Sequence, residues 1–251
     1  MAQNIYDRTD FFDGYSKLPR SVLGISAVGT PEWGVLSSYI PCLKSSHFLD
    51  LGCGFGWYSR WAREQGAATV TGIDVSEKML AAAKERTQDP GITYMKADLE
   101  SVEFSPREYN VVFSSLTLHY VENFAPLVKQ IYETLLPGGA FVFSVEHPSY
   151  TAPRRQQWTE DEQGLPVWPM NNYLTEGKRT NRWFGYEDRA EYHRMTSTYI
   201  KTLLTTGFVL SAIEEWGPTV EQLEELRPDY SKSRENPAFL LLKAVKPGEK
   251  M

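Results

Sequence analysis

Residues Phe48-Leu49-Asp50-Leu51-Gly52-Cys53-Gly54-Phe55-Gly56-Trp57 constrain this chain more than any other stretch. An apolar run enters an acidic residue and then a G-x-G-x-G pattern. Glycines let backbone N–H groups approach a ligand that a Cβ would push away. A glycine-rich turn between a strand and a helix is where a doubly wound α/β sheet receives a nucleotide-like cofactor. The spacing narrows the choice. A dinucleotide loop wants G-x-G-x-x-G and a small residue at position 57, but the third glycine comes early, at Gly56, and Trp57 follows. Asp50 at the end of the strand would repel a pyrophosphate and would tolerate a ligand with a cationic amino group.

From residue 47 onward strands and helices are predicted to alternate, the pattern of a parallel α/β sheet. The first strand is His47 to Leu51, and a helix follows with Trp57, Tyr58, Trp61 and Ala62 on one stripe, closed by Gly66. Thr69 to Asp74 is the second strand, and Ser76 caps a helix that buries Met79, Leu80 and Ala83. A third strand around Ile92–Met95 leads to Ala97-Asp98, and the fourth is Tyr109 to Ser114. Leu127, Val128, Ile131, Tyr132, Leu135 and Leu136 mark an amphipathic helix, which Pro137-Gly138-Gly139 stops before a fifth strand, Ala140 to Val145. The rhythm breaks after Glu146. Residues 147–194 are rich in Pro, Gly, Trp and Tyr, and a loop of this length inside a compact domain is usually functional, often a lid. A helix near Met195–Thr205 and two strands, Gly207–Leu210 and Ala238–Ala244, close the chain. The organisation expected is one domain, 1–251: a helical cap over 1–43, a cofactor-binding core over 44–146, a lid and acceptor-binding insertion over 147–194, and a C-terminal helix with closing strands over 195–251.

Four motifs in this order resemble those of the class I S-adenosylmethionine (SAM)-dependent methyltransferases, and more closely the small-molecule group that includes the ubiquinone/menaquinone-biosynthesis methyltransferases. They are Leu49-Asp50-Leu51-Gly52-Cys53-Gly54-Phe55-Gly56, then Gly72-Ile73-Asp74-Val75-Ser76 through Met79-Leu80, then Lys96-Ala97-Asp98-Leu99, and last Ser114 to Tyr120 followed by Leu135-Leu136-Pro137-Gly138-Gly139. SAM carries the amino group that Asp50 tolerates; NAD does not. The resemblance implies a Rossmann-like doubly wound sheet of seven strands, mostly parallel with an antiparallel last strand, and a lid inserted after the fifth. It implies SAM as cofactor and S-adenosylhomocysteine (SAH) as product. Asp74 would accept the ribose hydroxyls, about twenty residues past the glycines. Asp98 would meet the adenine amino group, between Leu99 and Met79 on the ring faces. The backbone around Gly52 and Gly54 would pass under the methionine part, with Asp50 organising the loop, and Cys53, Gly56 and Trp57 are further expected contacts. Val75, Ala97, Ser114, Ser115 and, from the cap, Tyr15 complete the expected cofactor contacts.

The acceptor side is less defined. Methyl transfer is an in-line attack in which positioning and desolvation can do much of the work. A hydroxyl, amine or thiol acceptor must also lose a proton, and His suits that near neutral pH. His119, His147 and His193 are the candidates, each equally readable as a satisfied structural residue. A carboxylate acceptor would need Arg and Tyr to hold it instead. Arg179, Arg182, Arg194, Tyr173 and Tyr192 are available for that, and Tyr150, Trp158, Trp168 and Trp183 for an aromatic pocket wall or a lid anchor. The net charge of −6 argues against non-specific nucleic-acid binding. An Asn/Asp-Pro-Pro-aromatic motif is missing after the fourth strand, which disfavours methylation of nucleic-acid bases. No metal-type spacing is evident, and two cysteines, Cys42 and Cys53, suggest a reducing compartment. The start predicts no signal peptide, and no apolar run is long enough to span a bilayer. The expectation is therefore a cytoplasmic monomer or homodimer that methylates a small molecule, oxygen slightly ahead of nitrogen or sulfur. Two rivals remain: a SAM-binding protein that does not methylate, such as a pericyclic catalyst or regulator, and an NAD-dependent oxidoreductase.

Overall fold

The computed structural model describes residues 4–26, 29–183, 186–225 and 236–249; at 182, 183 and 186–188 only the backbone is described. Three short helices open the chain: α1 (Thr9–Tyr15), α2 (Pro19–Val22) and α3 (Trp33–Ser38). Strands and helices then alternate through β1 (His47–Leu51), α4 (Trp57–Glu64), β2 (Thr69–Asp74), α5 (Glu77–Glu85), β3 (Ile92–Lys96), β4 (Tyr109–Ser115), α6 (Phe124–Thr134) and β5 (Leu135–Glu146). An insertion follows, with α7 (Pro148–Thr151), a small pair β6 (Thr159–Glu160) and β7 (Pro166–Val167), and a longer hairpin of β8 (Gly177–Trp183) and β9 (Tyr186–His193). The chain closes with α8 (Thr196–Thr206), β10 (Val209–Trp216), α9 (Val220–Glu225) and β11 (Phe239–Val245).

The main sheet has seven strands in the order β10-β11-β5-β4-β1-β2-β3. Strands β1 to β5 pair in parallel, and β11 runs antiparallel to both β5 and β10. Successive side chains of a strand point to opposite faces, and here both faces are covered. Leu49, Val112, Phe141, Phe143, Leu240 and Leu242 pack on one side with Leu127, Val128 and Ile131 of α6 and Tyr199 and Leu203 of α8. Their alternating neighbours Phe48, Val111, Phe113, Ala140, Val142 and Leu241 pack on the other with Leu36 of α3 and Ala62 of α4. A sheet buried on both faces reads as nearly continuous apolar runs, as these strands do.

Some element boundaries differ from expectation: β10 runs Val209–Trp216 and not Gly207–Leu210, with Gly207 capping α8. Strand β5 starts at Leu135, so Pro137-Gly138-Gly139 lies inside it rather than ahead of it. The Gly138 N–H donates to Lys246 O and the Lys246 N–H to Gly139 O, both at 2.9 Å, which pairs this stretch with the chain leaving β11. The insertion is also more regular than its composition suggests. Arg189, Glu191 and His193 alternate on the inner face of β9 and are buried. A strand whose inward residues are charged shows no apolar alternation, so its pattern was invisible.

The N-terminal cap is tied to the core by polar contacts. Ser76, the N-cap of α5, accepts the Met79 N–H at 3.1 Å and donates its hydroxyl to Asp7 Oδ1 at 2.6 Å. Asp7 also accepts the Lys78 N–H at 3.0 Å, and Asn4 donates to Val75 O at 3.3 Å. Among the described residues no helix is long and apolar enough to cross a membrane.

Candidate active site

A cavity of about 640 Å³ opens at the carboxyl ends of β1, β2, β4 and β5, beneath the cap and the β8–β9 hairpin. Its first half is built on the glycine loop. The Gly52 and Cys53 N–H groups both donate to Ile73 O, at 2.7 and 2.9 Å, and fold the loop back on the end of β2. Gly52 has φ +76°, and a Cβ there would lie 2.1 Å from Thr117 Oγ1. Gly54 has φ +51°, and a Cβ there would meet nothing within 4 Å, so its backbone faces open space. Asp74 holds the loop with one oxygen, accepting the Gly54 N–H at 2.9 Å, and accepts the Ser76 N–H at 2.9 Å with the other. Burial raises its carboxyl above the usual range, against the pull of those two N–H groups. Val75, Met79, Ala97, Asp98, Leu99, Ser115, Trp57 and Tyr15 also line this half.

Three expected cofactor residues stand one layer behind it. Asp50 is fully buried; the Ser59 hydroxyl donates to its Oδ2 at 2.7 Å, and its Oδ1 has no partner. Burial pushes its carboxyl up to about 7, with the charge of Asp74 adding to the rise. Gly56 caps α4 in the left-handed region. Ser114 donates its hydroxyl to Leu51 O at 2.9 Å and stitches β4 to β1. None of the three lines the cavity; beside Gly56 it is Phe55 and Trp57 that do, and beside Ser114 it is Ser115.

The second half is walled by His119, Tyr120, Glu146, Tyr150, Gln156, Trp168, Asn181, Arg189 and Tyr6. Trp168 donates its indole N–H to Ser149 O at 2.8 Å and packs on Tyr150 with centroids 4.7 Å apart. Arg189 donates Nε–H to the Tyr120 hydroxyl at 2.8 Å and Nη2–H to Glu146 Oε1, and its Nη1 lies 3.4 Å from Glu191 Oε2. Burial works against ionisation of Glu146, yet Arg189 beside it holds its carboxyl down at about 2. Glu191 is fully buried, and burial together with the charge of Glu146 pushes it up to about 8. Gln156 and Asn181 both donate to Glu191. His119 is 1% exposed; burial, opposed by Glu146 and reinforced by Arg189, drops its pKa to about 4.

The other histidines are engaged elsewhere. The imidazole of His147 meets Ser149 Oγ at 2.8 Å through Nδ1 and Glu215 Oε1 at 3.0 Å through Nε2. That of His193 lies between Thr151 Oγ1 at 2.8 Å and Tyr173 O at 2.9 Å. Both ring nitrogens of each have partners, and neither residue lines the cavity. Of the expected carboxylate clamp, Arg179, Arg194, Tyr173 and Tyr192 are engaged away from the wall. Arg179 clasps loop carbonyls, those of Ala152 at 3.1 Å and Thr175 at 2.5 Å among them. Arg194 donates to Val121 O and Glu122 O, Tyr192 donates to Glu122 Oε2, and Tyr173 pairs with Thr196. The side chains of Arg182 and Trp183 lie outside the described residues. Of the expected acceptor-side residues, His119, Tyr150 and Trp168 line the cavity. Glu146 and Arg189 were missed. Glu146 ends β5 as Asp74 ends β2, so the same strand-end rule would have found it; nothing in the sequence marks Arg189.

Residues 49–143 match the methyltransferase-domain family. A crystal structure of a SAM-dependent methyltransferase from Mesorhizobium loti is 42% identical, covers 86% of this chain and 98% of its own, and superposes with a TM-score of 0.81. An uncharacterized protein of Haemophilus influenzae is 32% identical over 251 residues, 97% of each chain. The malonyl-[acyl-carrier protein] O-methyltransferase of Enterobacter lignolyticus is 32% identical over 123 residues, 49% of this chain and 48% of that enzyme, so the likeness spans about half its length. The chain belongs to the SAM-dependent methyltransferases; it is an enzyme, and SAM is its cofactor.

Proposed function

We propose that this methyltransferase acts on a small molecule seated in the second half of the cavity, with oxygen as the favoured acceptor atom. The observation that carries the reading is the continuity of the cavity. One space of about 640 Å³ runs from the glycine loop to the aromatic chamber, the size class of small-ligand sites. The residues fit the cofactor. Open space over Gly54 admits close backbone contact. Asp74 keeps lone pairs for a ribose diol beyond the two N–H groups it already accepts. Asp98, Leu99 and Met79 would take the adenine. Arg20, held at 2.7 Å by the buried Glu32, offers a cation for a carboxylate on the cap side. When bound, the cofactor supplies an electrophilic methyl carbon. The names of the O-methyltransferase relatives support oxygen. A cap over 1–43, a core over 44–146 and a lid over 147–194 are the working division. Free Cys42 and Cys53 support a cytoplasmic setting, and the net charge of −6 supports a partner other than nucleic acid.

Calorimetric titration with SAH, with NADH as control, tests the cofactor half. Micromolar binding of SAH, about −8 kcal/mol, and none of NADH is expected. Asp74→Ala should weaken SAH at least tenfold, about 1.4 kcal/mol; an unchanged affinity would falsify the role of Asp74. Turnover of SAM to SAH over hydroxyl, amine and thiol acceptors tests the other half. Turnover with amines or thiols and never with hydroxyls would move the acceptor atom off oxygen.

A further inference from the structure

We propose that His119 and Glu146 form an acceptor subsite that takes an un-ionised hydroxyl and rejects both ammonium and carboxylate groups. This rests on the methyl-transfer reading above and names its acceptor class.

The argument begins with the imidazole. The Glu146 N–H donates to His119 Nδ1 at 3.4 Å, which assigns Nδ1 as the acceptor nitrogen of the ring. The proton of the neutral ring then sits on Nε2. Burial keeps the ring neutral at physiological pH. Nε2 is buried and has no hydrogen-bond partner, and an unmet buried donor costs about 1–3 kcal/mol. His119 is therefore poised to donate, and it is no base through that nitrogen. Glu146 Oε1 lies 3.8 Å away, on a side chain 23% exposed on a cavity wall. This donor and this acceptor lie 3.8 Å apart on two residues that both line the cavity.

A hydroxyl satisfies both: its oxygen accepts from Nε2–H and its proton goes to the carboxylate. An ammonium has no lone pair for Nε2–H and would approach the Arg189 guanidinium. A carboxylate would approach the ionised Glu146. Charge balance points the same way. Arg189 neutralises Glu146 at close range, and burial beside that charge raises the carboxyl of the neighbouring Glu191. The wall thus offers neither ion an unopposed partner. During the reaction the hydroxyl oxygen forms the C–O bond with one of its lone pairs. The C–S bond breaks and leaves its electron pair on sulfur. The hydroxyl proton passes to the Glu146 carboxylate and from there to water once the product has gone.

The test uses the full chain saturated with SAH and three matched probes: benzyl alcohol, benzylammonium and benzoate, titrated at pH 7.5 by ligand-observed NMR. The probes are small, so shape does not decide. Benzyl alcohol should bind roughly tenfold tighter than either ion, about 1.4 kcal/mol. Glu146→Gln removes the repelling charge beside Arg189 and should raise benzoate relative to the alcohol by about tenfold. Should that variant fail to fold, the His119 pair decides: His119→Phe loses the alcohol, and His119→Gln, which keeps an N–H near the Nε2 position, restores it. SAH affinity is measured first on every variant. A loss of SAH binding indicts the cofactor reading; intact SAH binding with a changed probe ranking speaks to the subsite alone. A lead for either ion, equal affinity of the three, no binding of the alcohol, or a ranking indifferent to every substitution overturns the proposal.

Discussion

Asp50 lies at the end of β1, fully buried behind the glycine loop, with one oxygen on Ser59 and the other unpaired. Its carboxyl is raised from the ordinary 3.8 to about 7. The folded chain therefore holds a proton there that the unfolded chain releases near pH 4. Where the folded state binds more protons, stability falls as pH rises. The loss runs between about pH 4 and 7 and levels off above, at no more than about 4 kcal/mol. Asp50→Asn keeps an acceptor for Ser59 and removes the ionisation. Its advantage over wild type should grow from pH 4.5 to 7.5 in cofactor-free urea melts; parallel stability profiles would remove Asp50 as the cause. At this scale the sequence was legible where position alone decides. Asp74 and Asp98 follow strand ends and line the cavity. The histidines were not legible, because a ring's role depends on distant partners: His147 meets a residue 68 positions away and His193 one 42 away.

Among the elements, α5 shows how the cap is fastened. A helix N-terminus leaves backbone N–H groups without partners. Ser76 meets one of them, and Asp7, contributed by the cap, meets those of Glu77 and Lys78 at 3.3 and 3.0 Å. One carboxylate thus serves as a second cap for α5 and as the fastening of the N-terminal segment. Asp7→Ala should cost about 1–2 kcal/mol, the range for lost caps, and should speed proteolysis within residues 4–26. Asp10→Ala, at an exposed position of α1, is the control and should do neither. Equal cleavage of the two variants would show that the aromatic contacts of Tyr6, Phe11 and Tyr15 hold the cap unaided. The parallel strands were legible as short continuous apolar runs and α6 by its helical period, both imposed by burial. The β8–β9 hairpin was not, since its inward face is Arg189, Glu191 and His193. Those residues are buried for their hydrogen bonds, and hydropathy cannot register that.

Across the whole molecule, the cavity is roofed by two segments from opposite ends of the first two hundred residues. The cap brings Tyr6 and the hairpin brings Arg189, and both end on one hydroxyl of the core. Tyr6 donates to the Tyr120 hydroxyl at 3.3 Å and Arg189 Nε donates to it at 2.8 Å. Tyr120 follows β4, on the cavity wall. A ligand that fills this space must contact both segments, so binding should stabilise both against local opening. Hydrogen exchange followed by mass spectrometry should show SAH slowing amides in 4–26 and in 186–193 together, with the central strands unchanged. Tyr120→Phe deletes the acceptor of both hydrogen bonds, at about 1–3 kcal/mol. In that variant SAH should still protect the glycine loop around Gly54. The two roof segments should lose roughly tenfold of their protection, about 1.4 kcal/mol of opening free energy. Retained protection of both roof segments would mean that they close independently of Tyr120. Protection of neither segment in the wild type would mean that the cofactor binds without engaging the roof, leaving closure to the acceptor.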